Sequence, residues 1–120
     1  MGMDSRLRII DLCGPHCVGK EDGETLFKAL LPLVETGEPI RLDFEGIVTI
    51  TSSFLNASLG RIIGRMPYEE FTKRVRWENV DRNDDELIRL VIENAREHFS
   101  KSKGAQQTNN NIVDQSLEQD

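Results

Sequence analysis

Apolar positions fall into short stretches separated by glycine, proline and charged residues. Leu7 to Cys13 (LRIIDLC) is apolar and β-branched and stops at Gly14-Pro15, which predicts a first strand. His16 to Lys20 reads either as a second short strand or as a loop. Leu26, Phe27, Leu30, Leu31 and Val34 then recur on one helical face, with Asp22 placed to cap the start. Pro32 interrupts that face and should kink or shorten the helix; Gly37 and Pro39 close it. From Pro39 to Glu45 the period changes to two. Ile40, Leu42 and Phe44 alternate with Arg41, Asp43 and Glu45, as in a half-buried strand.

Gly46 ends that strand, and Ile47, Val48 and Ile50 form a mostly apolar connection. Leu55, Leu59, Ile62, Ile63 and Met66 mark the next helix, which Ser52 or Ser53 can cap. Beside this stripe runs a row at spacing four: Ser52, Asn56, Gly60 and Gly64. Each glycine inside a helix costs about 1 kcal/mol relative to alanine, so this row implies close approach of another backbone. Tyr68 to Phe71 reads as one helical turn. Lys73 to Val80 (KRVRWENV) alternates again, with Val75 and Trp77 on one side and Arg74, Arg76 and Glu78 on the other. Asn83 and Glu86 resemble a capping box, and Leu87, Ile88, Val91, Ile92, Ala95 and Phe99 follow on one amphipathic face. From Ser100 to Asp120 apolar residues are too few to offset the entropy of ordering. The expected organisation is one domain over residues 1–99 and a disordered polar tail over 100–120. Helices alternating with strands predict an α/β fold, with a four- to five-stranded mixed, mainly parallel sheet packed against three main helices.

Composition narrows the function classes. The chain carries 15 Lys+Arg against 21 Asp+Glu, a net charge of -6. Nucleic-acid affinity rests on neutralising phosphates, so an acidic chain without a basic stripe is not expected to bind nucleic acid. No apolar run approaches the roughly 18 residues that span a bilayer. Residues 1–8 lack the apolar segment of a secretory signal, and Arg6 stands where a myristoylation motif needs Ser or Thr. Two cysteines without an export signal fit a reducing cytoplasm, which is the expected location.

Three constellations are candidates for chemistry. Cys13-Gly-Pro-His-Cys17 resembles a thioredoxin redox motif with one residue too many. Its alternatives are a metal site that would include His16 but lacks a nearby fourth ligand, or two ordinary semi-buried thiols. Asp43 and Glu45 are acidic residues near the Ser52 helix start. They are suited to acid–base work or Mg²⁺, though no His partner or phosphate cradle accompanies them. The third is the hydroxyl cluster Thr49-Ile50-Thr51-Ser52-Ser53, which either supplies a helix cap or exposes a phosphoacceptor whose charge the helix dipole would favour. No catalytic residue is assigned, and no cofactor or metal is expected.

Over Leu42 to Gly64 (LDFEGIVTITSSFLNASLGRIIG) the chain resembles the STAS domains, named for sulfate transporters and anti-sigma factor antagonists. Their pattern is a strand ending Leu-Asp-Leu-Ser-Gly-Val, a short connection, then Ile-Asp-Ser-Ser-Gly-Leu and a helix. The run Asp43-Phe44-Glu45-Gly46, and the Phe after the serines, are closer to the STAS-like branch of bacterial proteins. The resemblance implies a STAS-like fold and a phosphoacceptor at Ser52, with Ser53 beside it. It also implies a protein partner of the histidine-kinase-like ATPase type. The hydroxyl cluster at the helix start, with Asn56, Gly60 and Gly64 leaving room for close docking, marks the expected partner surface, which includes Thr51 and Phe54. Thr51 stands where the family has Asp, and Phe54 where it has Gly. The expectation is therefore a non-catalytic regulatory interaction module. The alternatives are a small thiol redox protein using Cys13 and Cys17, or a STAS module that binds nucleotide.

Overall fold

The computed structural model describes residues 5–118, with side chains described through Ser100. Residues 1–4, the start of the domain expected over residues 1–99, lie outside the described residues. The elements run β1 Ser5–Arg8, α1 Ile9–Cys13, β2 His16–Cys17, α2 Lys20–Thr36, β3 Ile40–Asp43, β4 Thr49–Ile50, α3 Ser52–Ala57 and α4 Leu59–Ile62. A 3-10 turn (Ile63–Arg65), α5 Tyr68–Arg74, β5 Val75–Glu78 and α6 Arg82–Glu118 complete the order. The expected disordered tail falls on the C-terminal part of α6, whose side chains beyond Ser100 lie outside the description.

The fold is α/β with parallel sheets and several helices. The expected single mixed sheet is instead two: β1-β3-β5 and β2-β4, with every pair parallel. The rows Ser5–Ile40–Val75 and Leu7–Leu42–Trp77 share one face of the larger sheet. Ile40, Leu42 and Val75 are buried there, in one core with Leu26, Phe27 and Leu30 of α2, Phe54 and Leu55 of α3, Phe71 of α5 and Ile88 of α6. The opposite face carries Arg6, Arg41 and Arg76 in one row and Arg8, Asp43 and Glu78 in the next. Parallel sheets are commonly covered on both faces. Here the second face is a network of charges. Arg6 pairs with Asp43, and Arg41 with Glu78 at 3.0 Å.

Several boundaries differ from the sequence expectation, each for a local reason. The first strand stops at Arg8 because its partner β3 stops at Asp43. Beyond that point Ile9–Cys13 has no strand to pair with and satisfies its backbone as one helical segment, closed by Gly14 at φ 79. The α2 helix begins at Lys20, with Gly19 rather than Asp22 as its N-cap, and it continues through Pro32. The helix expected over Leu55 to Met66 breaks at Ser58, where the buried hydroxyl donates to the Phe54 carbonyl at 2.8 Å. That carbonyl would otherwise serve the next helical turn. The last helix is capped by Asp81, whose Oδ1 accepts from the Asp84 amide at 2.8 Å, and not by Asn83.

Arg74 is buried and ties the layers together. It donates to the carbonyls of Leu33 and Val34 in the last turn of α2 and to that of Glu38, and pairs with Glu70 at 2.7 Å. The last carbonyls of a helix run short of intrahelical donors; here the Thr36 hydroxyl serves Leu33 at 2.7 Å and the Arg74 guanidinium serves both Leu33 and Val34. Among the described residues no helix is long and apolar enough to cross a membrane.

Candidate functional site

The short strands β2 and β4 pair side by side, and each leads into a helix at the same end. Gly19 begins α2 and Thr51 begins α3, both in extended conformation. The two helices then pack closely. A Cβ on Gly23 would lie 2.5 Å from Ala57 Cβ and 2.6 Å from the Phe54 carbonyl oxygen. This places the starts of α2 and α3 next to one another at the C-terminal end of the strands, where open α/β sheets hold their ligands.

Thr51, not Ser52 or Ser53, caps α3. Its Oγ1 accepts from the Phe54 amide at 3.2 Å and donates to the Val18 carbonyl at 2.8 Å. Its amide donates to the Cys17 carbonyl at 3.2 Å. Thr49 is engaged as well, with Oγ1 3.0 Å from His16 Nδ1. Both threonines are thus committed to joining β2 and β4. Ser52 and Ser53 are exposed, and the cap requires neither of them.

The residues expected to meet a partner separate into two sets. Thr51 is half-buried and Asn56 exposed. Phe54 is 0% exposed and belongs to the core, so it is not a docking residue. Gly60 is buried against Ala95 of α6, and a Cβ on Gly64 would strike the Phe99 ring at 2.7 Å. The small-residue row therefore accommodates the chain's own last helix. Among the described glycines, the one at which two backbones approach most closely is Gly23.

Two exposed apolar side chains lie at opposite ends of the β2–β4 strand pair, and only Val18 is beside the α3 start. Val18 is 48% exposed and its carbonyl is the one Thr51 holds. Val48 is 69% exposed, with its amide tied to Pro15 at 2.7 Å. The sequence carried a signal for this. Ile47, Val48 and Ile50 cannot all point inward from a segment of period two.

Asp43 and Glu45 do not join this site. Asp43 is 1% exposed and lies on the other sheet. It accepts from the Asn79 side-chain amide at 2.7 Å and the Glu45 backbone amide at 2.9 Å, and pairs with Arg6. These donors, Asn79 first, hold its carboxyl down at about 2. Its role is to fasten β1, β3 and the turn after β5, where Asn79 takes the left-handed conformation at φ 62. Glu45 follows the strand and is exposed.

The cysteines are free and adjacent, with Cys17 buried and Cys13 half-buried. Burial pushes the Cys17 thiol up to about 12 and also raises Cys13. Cys13 ends α1 and Cys17 sits in β2, so neither thiol has the helix N-terminus that stabilises a thiolate. Among the described residues no three His, Cys, Asp or Glu side chains cluster as a metal site would require.

Residues 22–85 match the family described as STAS-like domain of unknown function (DUF4325). No curated protein and no solved structure matches the chain. The matched segment spans the second helix to the start of the last and contains β3, β4, the Thr51 cap and both exposed serines. The chain belongs to this STAS-like family.

Proposed function

We propose that this STAS-like domain is a regulatory protein-interaction module that performs no turnover of its own. It docks a protein partner on the start of α3, with Val18 as an apolar contact, and phosphorylation of Ser52, or of Ser53 beside it, switches the docking. The observation that carries this reading is the division of labour among the hydroxyls. Thr51 makes the cap, so a modification of Ser52 leaves the fold intact and changes only the surface.

The physics of the switch follows from the neighbours. The exposed Val18 favours a partner whose facing surface is apolar. A phosphate adds about -1.5 to -2 charges close to it, and a partner covering that surface would have to desolvate it. The unmodified chain then binds and the phosphorylated chain releases. A partner of the histidine-kinase-like ATPase type fits, because one protein would both read this surface and modify it.

The test is incubation of the chain with such an ATPase from the same genome and ATP, followed by peptide mass spectrometry. The expected result is one phosphate within Thr51–Ser53, absent from Ser52→Ala or Ser53→Ala according to the acceptor, with a complex seen only before modification. Absence of both phosphate and complex with every such ATPase of that genome would refute the proposal.

A further inference from the structure

The larger sheet ends on β5, whose outer side has no partner strand among the described residues. A groove of about 910 Å³ runs along it, lined by Val75–Glu78 itself, by Tyr68 and Thr72 of α5 and by Arg89 and Glu93 of α6. The Glu78 carbonyl faces inward, accepting from the Phe44 amide at 3.0 Å. Backbone groups of a strand alternate sides, so the N–H and C=O of Trp77 face outward, towards the groove.

An unpaired edge is a template for another strand. The residues of this edge select their own copy. In an antiparallel pairing centred on Trp77, Arg76 of one chain lies directly opposite Glu78 of the other, and the twofold repeats the pair. Arg76 is exposed and takes no part in the ion pairs among the described residues. Glu78 accepts from Arg41, and a carboxylate has further lone pairs for a second donor. A register shifted by one residue would turn the charged row of one copy to the apolar face of the other. The opposite edge fails the same test, since β1 paired about Leu7 sets Arg6 opposite Arg8.

We infer that β5 pairs antiparallel with β5 of a second copy of this chain, joining two three-stranded sheets through the Trp77 backbone and reciprocal Arg76–Glu78 ion pairs. The ladder is short. The Val75 amide is held by the Phe71 carbonyl, and Asn79 at φ 62 turns the chain away. The contact belongs to the small, transient class of interfaces, and the dimer forms at high concentration.

Sedimentation velocity over a concentration series tests this with the full chain, Arg76→Glu, Glu78→Arg and an equimolar mixture of the two variants. The wild type should shift from monomer to dimer. Each variant alone sets like charges opposite one another and should associate at least tenfold more weakly. The mixture restores opposite charges at both positions and should dimerise again. Concentration-dependent protection of the Trp77 amide in hydrogen exchange checks the same pairing in the wild type, including the case in which Glu78→Arg fails to fold for want of its Arg41 contact. A wild type that stays monomeric, association unchanged by Arg76→Glu, or a Trp77 amide that exchanges alike at all concentrations would overturn the inference.

Discussion

Replacing Gly23 by alanine should destabilise the domain, although it adds a good helix former to a helix. The gain in helix propensity is about 1 kcal/mol. Against it stands the geometry of the α2–α3 contact. The new Cβ would lie 2.5 Å from Ala57 Cβ and 2.6 Å from the Phe54 carbonyl oxygen. Carbon pairs prefer about 3.5–4.0 Å, so the helices must separate by about 1 Å, and a gap of that size forfeits a quarter to a half of each neighbouring contact. Overpacking of this kind costs about 2–3 kcal/mol, the upper part of its usual range, because backbone rather than a flexible side chain has to move. The net expectation is a loss of about 1–2 kcal/mol, or roughly 4–16 °C in Tm for a domain of this size. Gly60→Ala is the control. Its Cβ would meet Leu55, Asn56 and Ala95 at 3.5–3.9 Å, ordinary contact distance, so that variant should be neutral or up to about 1 kcal/mol more stable. Thermal and urea denaturation followed by circular dichroism measures both. Gly23→Ala as stable as the wild type, or Gly60→Ala the more damaging of the two, would refute the packing argument.

Thr51→Ala should cost about 1 kcal/mol by loss of the cap, whereas Ser52→Ala and Ser53→Ala should each change stability by less than about 0.5 kcal/mol in the same denaturation assay. Arg74→Met leaves the Val34 and Glu38 carbonyls without their side-chain donor, while the half-exposed Glu70 turns to water, and should cost about 1–3 kcal/mol in urea titration. The Asp43 carboxyl titrates at about 2 in the folded chain against an ordinary 3.8, so its stabilisation is present above about pH 4 and fades as the pH falls towards 2. In Asp43→Asn that part of the acid dependence should disappear from the stability curve. Cys17, pushed up to about 12 from 9.0, should stay unreactive to a thiol reagent at pH 8 in the folded chain and label once urea unfolds it.

The periodicity of apolar residues located the long elements because burial enforces it. Leu26, Phe27 and Leu30, and Ile40 and Leu42, all reached the core on the faces their spacing assigned. The ends of elements were less legible, since they depend on partners distant in sequence. Ile9 and Ile10 have the residue types of a strand, but the end of β3 determines that they form a helix. The break at Ser58 depends on one hydroxyl reaching back to Phe54, which spacing alone does not reveal. At the candidate site, the hydroxyl cluster was visible as a cluster, but its division into Thr51 as cap and Ser52 and Ser53 as exposed groups required coordinates. Phe54 follows the serines directly and was expected at the surface; the phase of α3 turns it inward. The glycines misled for a similar reason. A row of small residues signals close packing, but it does not say whether the neighbour is a partner or, as with Phe99 over Gly64, the same chain.

Docking at the start of α3 is tested most directly by titrating a histidine-kinase-like ATPase of the same genome with the wild-type chain, Val18→Asp and Ser52→Glu, and reading heat by calorimetry. The expected result is binding by the wild type and at least tenfold weaker binding by each variant, or about 1.4 kcal/mol, with circular dichroism unchanged. Equal affinity for all three chains would place the contact elsewhere and contradict the proposed role of Val18 and Ser52.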